Sequence, residues 1–539
     1  MKRFYRACVA SIFLGCLILN PVQASFMEQI LVHTKAISLG NSVTANPPGH
    51  MAIHYNPAGL SQLEDGIVVG QGFALVRLER TYKFKPDLTY NDKFDPKEDP
   101  VSYEKGAVRN GRIYIPFAGG INLPVLAAPV PSGMSYRKPC SKWTFANGIY
   151  APFAGGFEHS HEEPERFQGE AVYLQHLMYA SPSVSYQVND QLALGLSLGM
   201  GQTAMGALTD VRAPAIVDLT NLLRDLGSRG VKGIPPFNVN IGIFERVADL
   251  EFDVRDDFTP SFNFGVLYQP NHWLTLGAVY QSPIKVDLVG RYQFRYSDKL
   301  MEMLDWLNTQ TGMSDETWNR SHVNKQIESG RLDMVGFEFP QRVQLGVMVK
   351  PFRRLKVMMD WHWTDWTSTD AYVMQFDQNI QVVMMTQMLG YDGPAYQLIY
   401  PKHFDNPWHL SVGFEYEMHD WLTVRLGFED RQTCAKDHLF DLFSLPDVYL
   451  YGAGLGIQWV PGLDIDLGVA YLTYNDYYVP NNTSTNLNYT GSGTPVYSPF
   501  AGQHYETSFN TYIASMNMTV TFDLLKDYIE RKMISWGIY

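Results

Sequence analysis

Large apolar residues alternate one by one with small or polar residues along much of this chain. Between 408 and 417 the even positions are apolar and the odd positions are small or polar, and the same period of two recurs in 191–199, 422–429 and 463–471. A period of two predicts β-strands with one apolar face. The runs are longer than an ordinary strand of about 5 to 6 residues. They are also long enough to cross a bilayer when tilted, which takes about 9 to 11 residues.

Many of these runs form pairs that are joined by short polar or Gly/Pro turns. The predicted hairpins are 184–199, 262–280, 343–363, 410–428 and 455–471. The predicted connections between them are long: 203–250, 295–330, 370–405, 430–445 and 475–505. Short turns on one side and long loops on the other are typical of an outer-membrane barrel.

The strand count supports a closed barrel. Single strands are predicted near 66–83, within the proline-interrupted segment 113–136, near 142–153 and near 507–522. With ten strands from the hairpins, the total is about fourteen, and bacterial barrels have even numbers. We therefore predict an all-β fold, a transmembrane antiparallel β-barrel of about 14 strands over 66–522.

Outside the strands, two loop segments have leucines at helical spacing, 214–230 and 297–312. These helices could cap the barrel mouth, line an entry groove for an apolar ligand, or do both. Residues 25–65 precede the first strand, and 523–539 form an extension for which we predict a short helix.

The first 24 residues have the organisation of a secretory signal peptide. Basic Lys2, Arg3 and Arg6 precede an apolar run, and small residues follow at Val22–Ala24. The whole chain has 55 acidic against 42 basic residues, which disfavours nucleic-acid binding. Cys140 and Cys434 are the cysteines left after cleavage, and we expect no bond between them because they fall on opposite sides of the membrane.

Residues 36–60, and above all Tyr55-Asn56-Pro57-Ala58-Gly59-Leu60, resemble the N-terminal hatch of the FadL/TodX family of outer-membrane transporters for long-chain fatty acids and hydrocarbons. Segments 357–366, 426–429, 445–447 and 454–471 resemble that family's later strands. The resemblance implies a plug over 25–65 that contains Asn56, Pro57 and Ala58. The alternative is an ordinary tight turn before the first strand. Pro47–His50 and the chain beyond Phe522 depart from the family pattern.

The same resemblance implies passive transport of a hydrophobic small molecule: capture at extracellular loops, passage past the plug and a side exit at a kinked third strand. Pro152, Gly155 and Gly156 are the candidates for that kink, and the alternative is simply the end of the strand. The expected location is the outer membrane, and the expected partners are the ligand, membrane lipid and the barrel-assembly machinery.

Arg425 is a candidate contact for a ligand carboxylate, because guanidinium pairs bidentately with carboxylates. The favoured alternative is a polar network that braces the barrel interior. The other residues expected to face the interior are Asp360, His362, Glu415, Glu417, Glu429, Asp464 and Asp466.

Two further motifs suggest chemistry, and both have simpler interpretations. Gly195-Leu196-Ser197-Leu198-Gly199 matches a nucleophile-elbow pattern but lies inside an alternating run, with no strand-turn-helix context. The run Glu158–Glu163 could bind a metal, although a solvated charged run is favoured. We therefore expect no catalytic residue, no metal site and no cofactor. The alternatives to transport are an outer-membrane enzyme that acts on lipid or peptide, or a surface adhesin.

Overall fold

The computed structural model describes most of the chain. The described residues are 32–89, 95–115, 119–128, 131–212, 241–242, 244–310, 325–368, 371–388, 391–401, 404–434, 447–479 and 499–536. The expected signal peptide 1–24 and the helix expected in 214–230 lie outside them.

Fourteen antiparallel strands of the described residues close into a barrel, which confirms the predicted fold class. In chain order they are β1 Gly66–Pro86, β2 Ser132–Arg137, β3 Trp143–Glu158, β4 Ala171–Ala180 with Ser183–Gln187, β5 Leu192–Arg212, β6 Arg246–Asn271, β7 Leu274–Gln281 with Leu288–Tyr296, β8 Ile327–Val335 with Arg342–Phe352, β9 Leu355–Thr364 with Ala371–Phe376, β10 Gln397–Pro401 with Trp408–His419, β11 Leu422–Arg431, β12 Val448–Val460, β13 Leu463–Val479 and β14 Gln503–Thr521. Each strand pairs with the next, and β14 pairs with β1 from Val68↔Thr521 to Pro86↔Gln503. The pairing of β14 with β1 closes the barrel, so that the first and last strands are not left as open sheet edges.

All five predicted hairpins are confirmed with their turns. The predicted strand ends are wrong, because several strands continue into the expected loops. β5 has 21 residues and β6 has 26. In β1 the outward positions change from apolar Phe73 and Leu75 to charged or polar residues from Arg77 onward. Backbone pairing continues there without an apolar outer face, so apolar alternation marks only the bilayer-spanning part of a strand.

The segment 113–136 is not one strand. It contains Asn110–Ile115, Gly119–Leu123, Leu126–Ala128 and then β2. Pro124 and Pro131 lie at the breaks between these pieces, where their missing N–H groups cannot contribute to a ladder.

Short helices lie in the plug, in the outer loops and after the last strand. The α-helices are α1 Thr34–Ser38, α2 Ala52–Tyr55, α3 Arg166–Gly169, α4 Asp298–Gln310, α5 Gln381–Met388 and α6 Phe522–Ser535, and the 3₁₀ helices are Gly49–Met51, Pro57–Gln62, Pro96–Glu98 and Trp366–Ser368. Helix α4 confirms the helix predicted in 297–312. Within the described residues, no helix has both the length and the apolar character needed to cross a membrane. Short two-stranded pieces complete the structure: Lys105–Ala107 pairs with β1, and Ile284–Lys285 pairs with Glu338–Phe339.

The core lies inside the barrel, and the outer surface is apolar. Plug residues such as Leu39, Met51 and Ile53 are fully buried. Phe73 and Tyr512, by contrast, face outward and are 41% and 47% exposed. An exposed apolar band is what a barrel presents to lipid chains.

Candidate functional site

Asn56 joins the plug to the barrel wall. Its side chain is fully buried, and Nδ2 donates to the carbonyl oxygens of Thr44 at 2.8 Å and Val266 at 3.1 Å. Its Oδ1 accepts from the Ala58 N–H at 3.1 Å and so caps the 3₁₀ helix Pro57–Gln62. Pro57, the first residue of that helix, needs no N–H partner there. The Asn-Pro-Ala motif therefore lies within the plug and folds it against β6.

Inward-facing glycines make room for the plug around most of the barrel. A Cβ atom on any of them would lie 2.9 Å or less from a plug atom. We call this set the glycine collar: Gly70, Gly133, Gly148, Gly195, Gly265, Gly277, Gly346, Gly413, Gly427, Gly452, Gly454 and Gly468. Many are cross-strand neighbours, as in Gly413↔Gly427↔Gly452. Because even a methyl group would collide, the plug packs directly against the backbone of the wall at these positions.

The glycine collar gives Gly195 a structural explanation. Its Cβ position is 2.1 Å from the Pro57 carbonyl carbon, so the first glycine of the Gly-x-Ser-x-Gly pattern accommodates the plug motif. Ser197 lies in the middle of β5, is 1% exposed and accepts a hydrogen bond from the Ser183 hydroxyl at 2.7 Å. This is not the exposed strand-to-helix turn on which a nucleophile elbow depends.

Polar side chains of the wall hold the plug at several further points. Asn41 Nδ2 donates to Glu429 Oε2 at 2.8 Å, and the Thr44 N–H donates to Asp360 Oδ2 at 2.7 Å. On β7, Gln281 Nε2 donates to the His54 carbonyl at 2.8 Å. Asp360 and Glu429, both expected to face the interior, are thus plug contacts.

Arg425 belongs to a buried ion cluster. Its Nε donates to Glu415 Oε2 at 2.8 Å, and its Nη1 contacts Asp466 Oδ1. Lys356 Nζ lies 2.7 Å from Glu415, and Lys35 of the plug lies 3.9 Å from it. The guanidinium therefore already has two carboxylate partners. This arrangement favours the bracing network over a ligand contact.

Strand β3 is interrupted at the predicted kink. Tyr150 pairs with Met178, and the next pair is Phe153 with His176. Between these pairs β3 has one residue more than β4, which is a β-bulge, and Pro152 lies in it. On its other side, β3 pairs with β2 up to Ile149 and then with the Asn110–Ile115 strand from Phe157. Residues 150–156 therefore lack a ladder partner on that side among the described residues.

Gly156 lies at the outer end of this interruption. A Cβ there would be 2.4 Å from the Arg112 carbonyl oxygen and 2.5 Å from that of Val172. The glycine thus permits close approach of the Asn110–Ile115 strand, which covers the outer end of the gap. The structure gives no comparable constraint for Gly155, which is partly exposed.

A column of buried apolar side chains runs inside the barrel from the loop helices to the interruption. The rings of Phe153 and Phe339 stack at 4.2 Å, Phe339 contacts Phe337 at 5.4 Å, and Phe337 stacks on Tyr372 at 5.2 Å. The same cluster includes plug and α4 residues. We call it the apolar column: Tyr55, Tyr150, Phe153, Leu300, Met303, Leu304, Phe337, Phe339, Tyr372 and Phe376. The aromatic members come from plug helix α2, β3, the segment 337–339 and β9, and no common motif in the sequence predicts them.

Two other expectations have mixed outcomes. The solvated-run interpretation of Glu158–Glu163 is wrong for His159, which is 3% exposed, although His161 and Glu162 are exposed. Cys140 is exposed at the turn after β2 and Cys434 is buried among the outer loops, and no disulfide joins the two.

The comparisons with known proteins agree with this geometry. The family model of outer membrane protein transport proteins (OMPP1/FadL/TodX) matches residues 28–522. The chain belongs to this family. Family membership also assigns it to the outer membrane.

Individual relatives are distant. Outer membrane protein P1 of Haemophilus influenzae is 22% identical over 211 residues, 39% of this chain, and the match spans only 37% of that protein's length. A FadL homologue of Pseudomonas aeruginosa superposes with a TM-score of 0.64 at 15% identity, over 92% of this chain and 100% of that one. The toluene transporter TbuX of Ralstonia pickettii gives 0.56 at 16% identity, over 92% and 100%. At these identities the superpositions establish the fold.

Proposed function

We propose that this protein carries hydrophobic small molecules passively across the outer membrane. The observation that supports the proposal is the apolar column, which connects the loop helix α4 with the interruption in β3. Apolar side chains along this path would lower the free energy of an apolar solute that moves among them, relative to its free energy in water.

The proposed route has three stages. Apolar solutes are captured beside the loop helices α4 and α5, where Leu300, Val383 and Met384 are buried. They then move along the apolar column, because the glycine collar and the plug fill the lumen below it. They leave sideways into the membrane at residues 150–156, with Pro152, Gly155 and Gly156 shaping the exit.

The substrate class that we propose is long-chain fatty acids or hydrocarbons. Apolar chains and rings both fit a column of aromatic and aliphatic side chains. TbuX is named as a toluene transporter, and the column is compatible with an aromatic hydrocarbon as well. The solute gradient, or consumption of the solute downstream, supplies the driving force.

The proposal includes the domain organisation and the partners. Residues 1–24 direct export and are removed, 25–65 form the plug, 66–522 form the barrel and 523–539 form an extension. The barrel-assembly machinery inserts the chain, and lipid covers its outer band. We assign it no catalytic residue and no cofactor, in keeping with a family of transport proteins.

The first test is mass spectrometry of compounds extracted from the purified barrel, against a detergent blank. Enriched fatty acids or hydrocarbons would support transport and identify the substrate class. A clean blank from a folded barrel, together with no uptake of labelled fatty acid or toluene by cells, would contradict the proposal and favour the enzyme or adhesin alternatives.

A matched pair of variants tests the route. Phe153→Ala removes a ring from the apolar column, whereas Phe145→Ala removes a lipid-facing ring that is 53% exposed on the same strand. We expect uptake to fall in the first variant alone, at equal amounts of folded barrel. Equal uptake by both variants would show that solutes do not pass Phe153.

A further inference from the structure

The loop between β3 and β4 buries an imidazole and a carboxylate side by side. His159 is 3% exposed and Glu165 is 2% exposed, although both follow the charged end of β3. Glu165 lies beneath the short strand Lys105–Ala107, where a Cβ on Gly106 would be 2.1 Å from its Oε2. A buried carboxylate is costly unless it is paired or bound to a metal.

Neither buried group has the partners that its burial requires. Both ring nitrogens of His159 lack a hydrogen-bond partner, and neither oxygen of Glu165 receives a hydrogen bond from another residue. Glu163 Oε2 lies 3.7 Å from His159 Nδ1, which is beyond hydrogen-bond length. One donor atom from each of the three residues lies within 4.8 Å of the others.

The surrounding groups fix these side chains in place. The ring of His159 is held between Phe157 at 5.2 Å and Tyr82 at 5.5 Å. Glu163 Oε1 accepts from Arg109 Nε at 3.1 Å, and its Oε2 accepts from the Ala107 N–H at 3.2 Å. Residues of three chain segments therefore meet at this point.

Nearby cations do not replace a metal ion. Arg109 engages the outer oxygen of Glu163, Arg166 pairs with Asp210 at 3.0 Å, and Arg80 stacks over the Tyr82 ring at 5.0 Å. Arg80 and Arg166 attract the Glu165 carboxylate electrostatically, but no ion pair of the described residues includes Glu165. The second cluster in this loop, His161, Glu170 and Asp210, is already satisfied by its own contacts.

We propose that His159, Glu163 and Glu165 bind one divalent transition-metal ion, for which Zn²⁺ is the best chemical match. Imidazole with two carboxylates suits zinc, whereas Ca²⁺ prefers six to eight oxygen ligands. Donors about 2.1 Å from a tetrahedral zinc lie about 3.4 Å apart, so small side-chain rotations would complete the site. Water would supply the fourth ligand.

The ion would fix the loop 159–165 at the outer rim of the barrel, and Glu163 would connect this loop to the segment 105–109 through its bonds from Ala107 and Arg109. That segment pairs with β1, and the adjoining strand Asn110–Ile115 covers the outer end of the interruption in β3. Metal binding would therefore brace the rim above the proposed exit. The binding itself does not depend on the transport proposal.

The test uses the full-length folded barrel, stripped with a chelator and dialysed against Zn²⁺ or Ca²⁺. We expect elemental analysis to find one zinc per barrel and titration calorimetry to show saturable Zn²⁺ binding. His159→Ala and Glu165→Gln should weaken binding by more than about tenfold, since even second-shell partners of a metal contribute that much. His161→Ala, an exposed histidine two residues away, is the matched control.

Folding is checked by the change in gel mobility that folded barrels show on heating. A folded wild-type barrel that binds no zinc would overturn the proposal, as would a preference for Ca²⁺. Loss of binding in His161→Ala, with retention in His159→Ala, would assign the metal to other residues. Zn²⁺ should also raise the unfolding temperature of the wild type, but not that of Glu165→Gln.

Discussion

Glycines permit close backbone approach on both sides of this barrel, but the wall around them differs. On β11 and β12, Gly427 and Gly452 are paired in register and let the backbone of the plug touch an unbroken wall. On β3, Gly156 follows a bulge at Pro152, and among the described residues this stretch has no ladder partner on its β2 side. On the first side the strands are fully paired and ion pairs connect their side chains, as at Arg425. On the second side the pairing is interrupted and aromatic rings pack against the gap. A glycine thus indicates that another backbone or side chain comes close. Whether the wall is closed at that point depends on the pairing of the strand on both of its sides.

The largest expected effect lies on the sealed side. Arg425→Met would leave Glu415 and Asp466 without their shared cation, and breaking a buried ion pair costs about 3–5 kcal/mol of unfolding free energy. Arg354→Met breaks an exposed pair with Asp420 and is the control. Guanidinium unfolding curves measure both.

The same variant decides between two roles for Arg425. As a structural residue, it should leave the ratio of binding between a fatty acid and its methyl ester unchanged. If stability is kept and only the free acid binds more weakly, Arg425 is a headgroup contact and the bracing network is not its role.

The plug motif comes next. Asn56→Ala removes hydrogen bonds to Thr44, Val266 and Ala58, worth about 2–3 kcal/mol together. We also expect cells to admit more of a polar dye, because the plug is released from β6. Asn46→Ala, in which the lost bond comes from Lys35 at 3.3 Å, is the control. Unchanged stability and dye entry would show that the motif does not anchor the plug.

Gly427→Ala should have a similar or smaller effect. Its methyl group would meet the Gly40 nitrogen at 2.0 Å, and overpacking of this kind costs about 1–3 kcal/mol. Ala514→Val adds bulk on the exposed outer face instead and should change little. Dye entry and protease sensitivity of the plug measure the result, and equal values for the two variants would contradict close contact at the collar.

The interrupted side should show the smallest change in stability and a selective loss of transport. Deletion of Pro152 removes the extra residue and restores the β3–β4 register, so we expect stability within about 1 kcal/mol of wild type. Uptake of hydrophobic solutes should fall. Pro152→Ala keeps the extra residue and should keep uptake. Normal uptake by the deletion variant would exclude an exit at this bulge.

The sequence predicted most of the wall, because period-two runs and tight turns are local signals. The hairpins at Asn189-Asp190 and Pro461-Gly462 are examples. Strand ends were missed where the outer face becomes charged, as in β1 beyond Arg77. The strand predicted within 113–136 is β2, at the end of that segment, and the proline breaks divide the rest into short pieces that were not predicted.

The site was predicted less completely. Asn56–Ala58 and Pro152 were predicted from a family resemblance. Asn56 connects the plug to β6, and Pro152 lies in the bulge of β3. The contacts of the plug with Gly427 or Gly265 depend on tertiary register, although glycines at inward positions of many strands were a visible signal. The burial of His159 and Glu165 depends on Lys105–Ala107 folding over them, which no local pattern encodes.

The position of the plug at the start of the chain also determines when, during folding, the barrel becomes a barrier. It is synthesised before β1, yet its first helix packs on β11 to β13 and its seal includes glycines from nearly the whole circumference. The seam between β1 and β14 joins the two ends of the chain, and such non-local pairing forms slowly. Until the last strands arrive, the N-terminal segment has only part of its binding surface. The barrel therefore acquires its barrier function late, as one of the final events of its own folding.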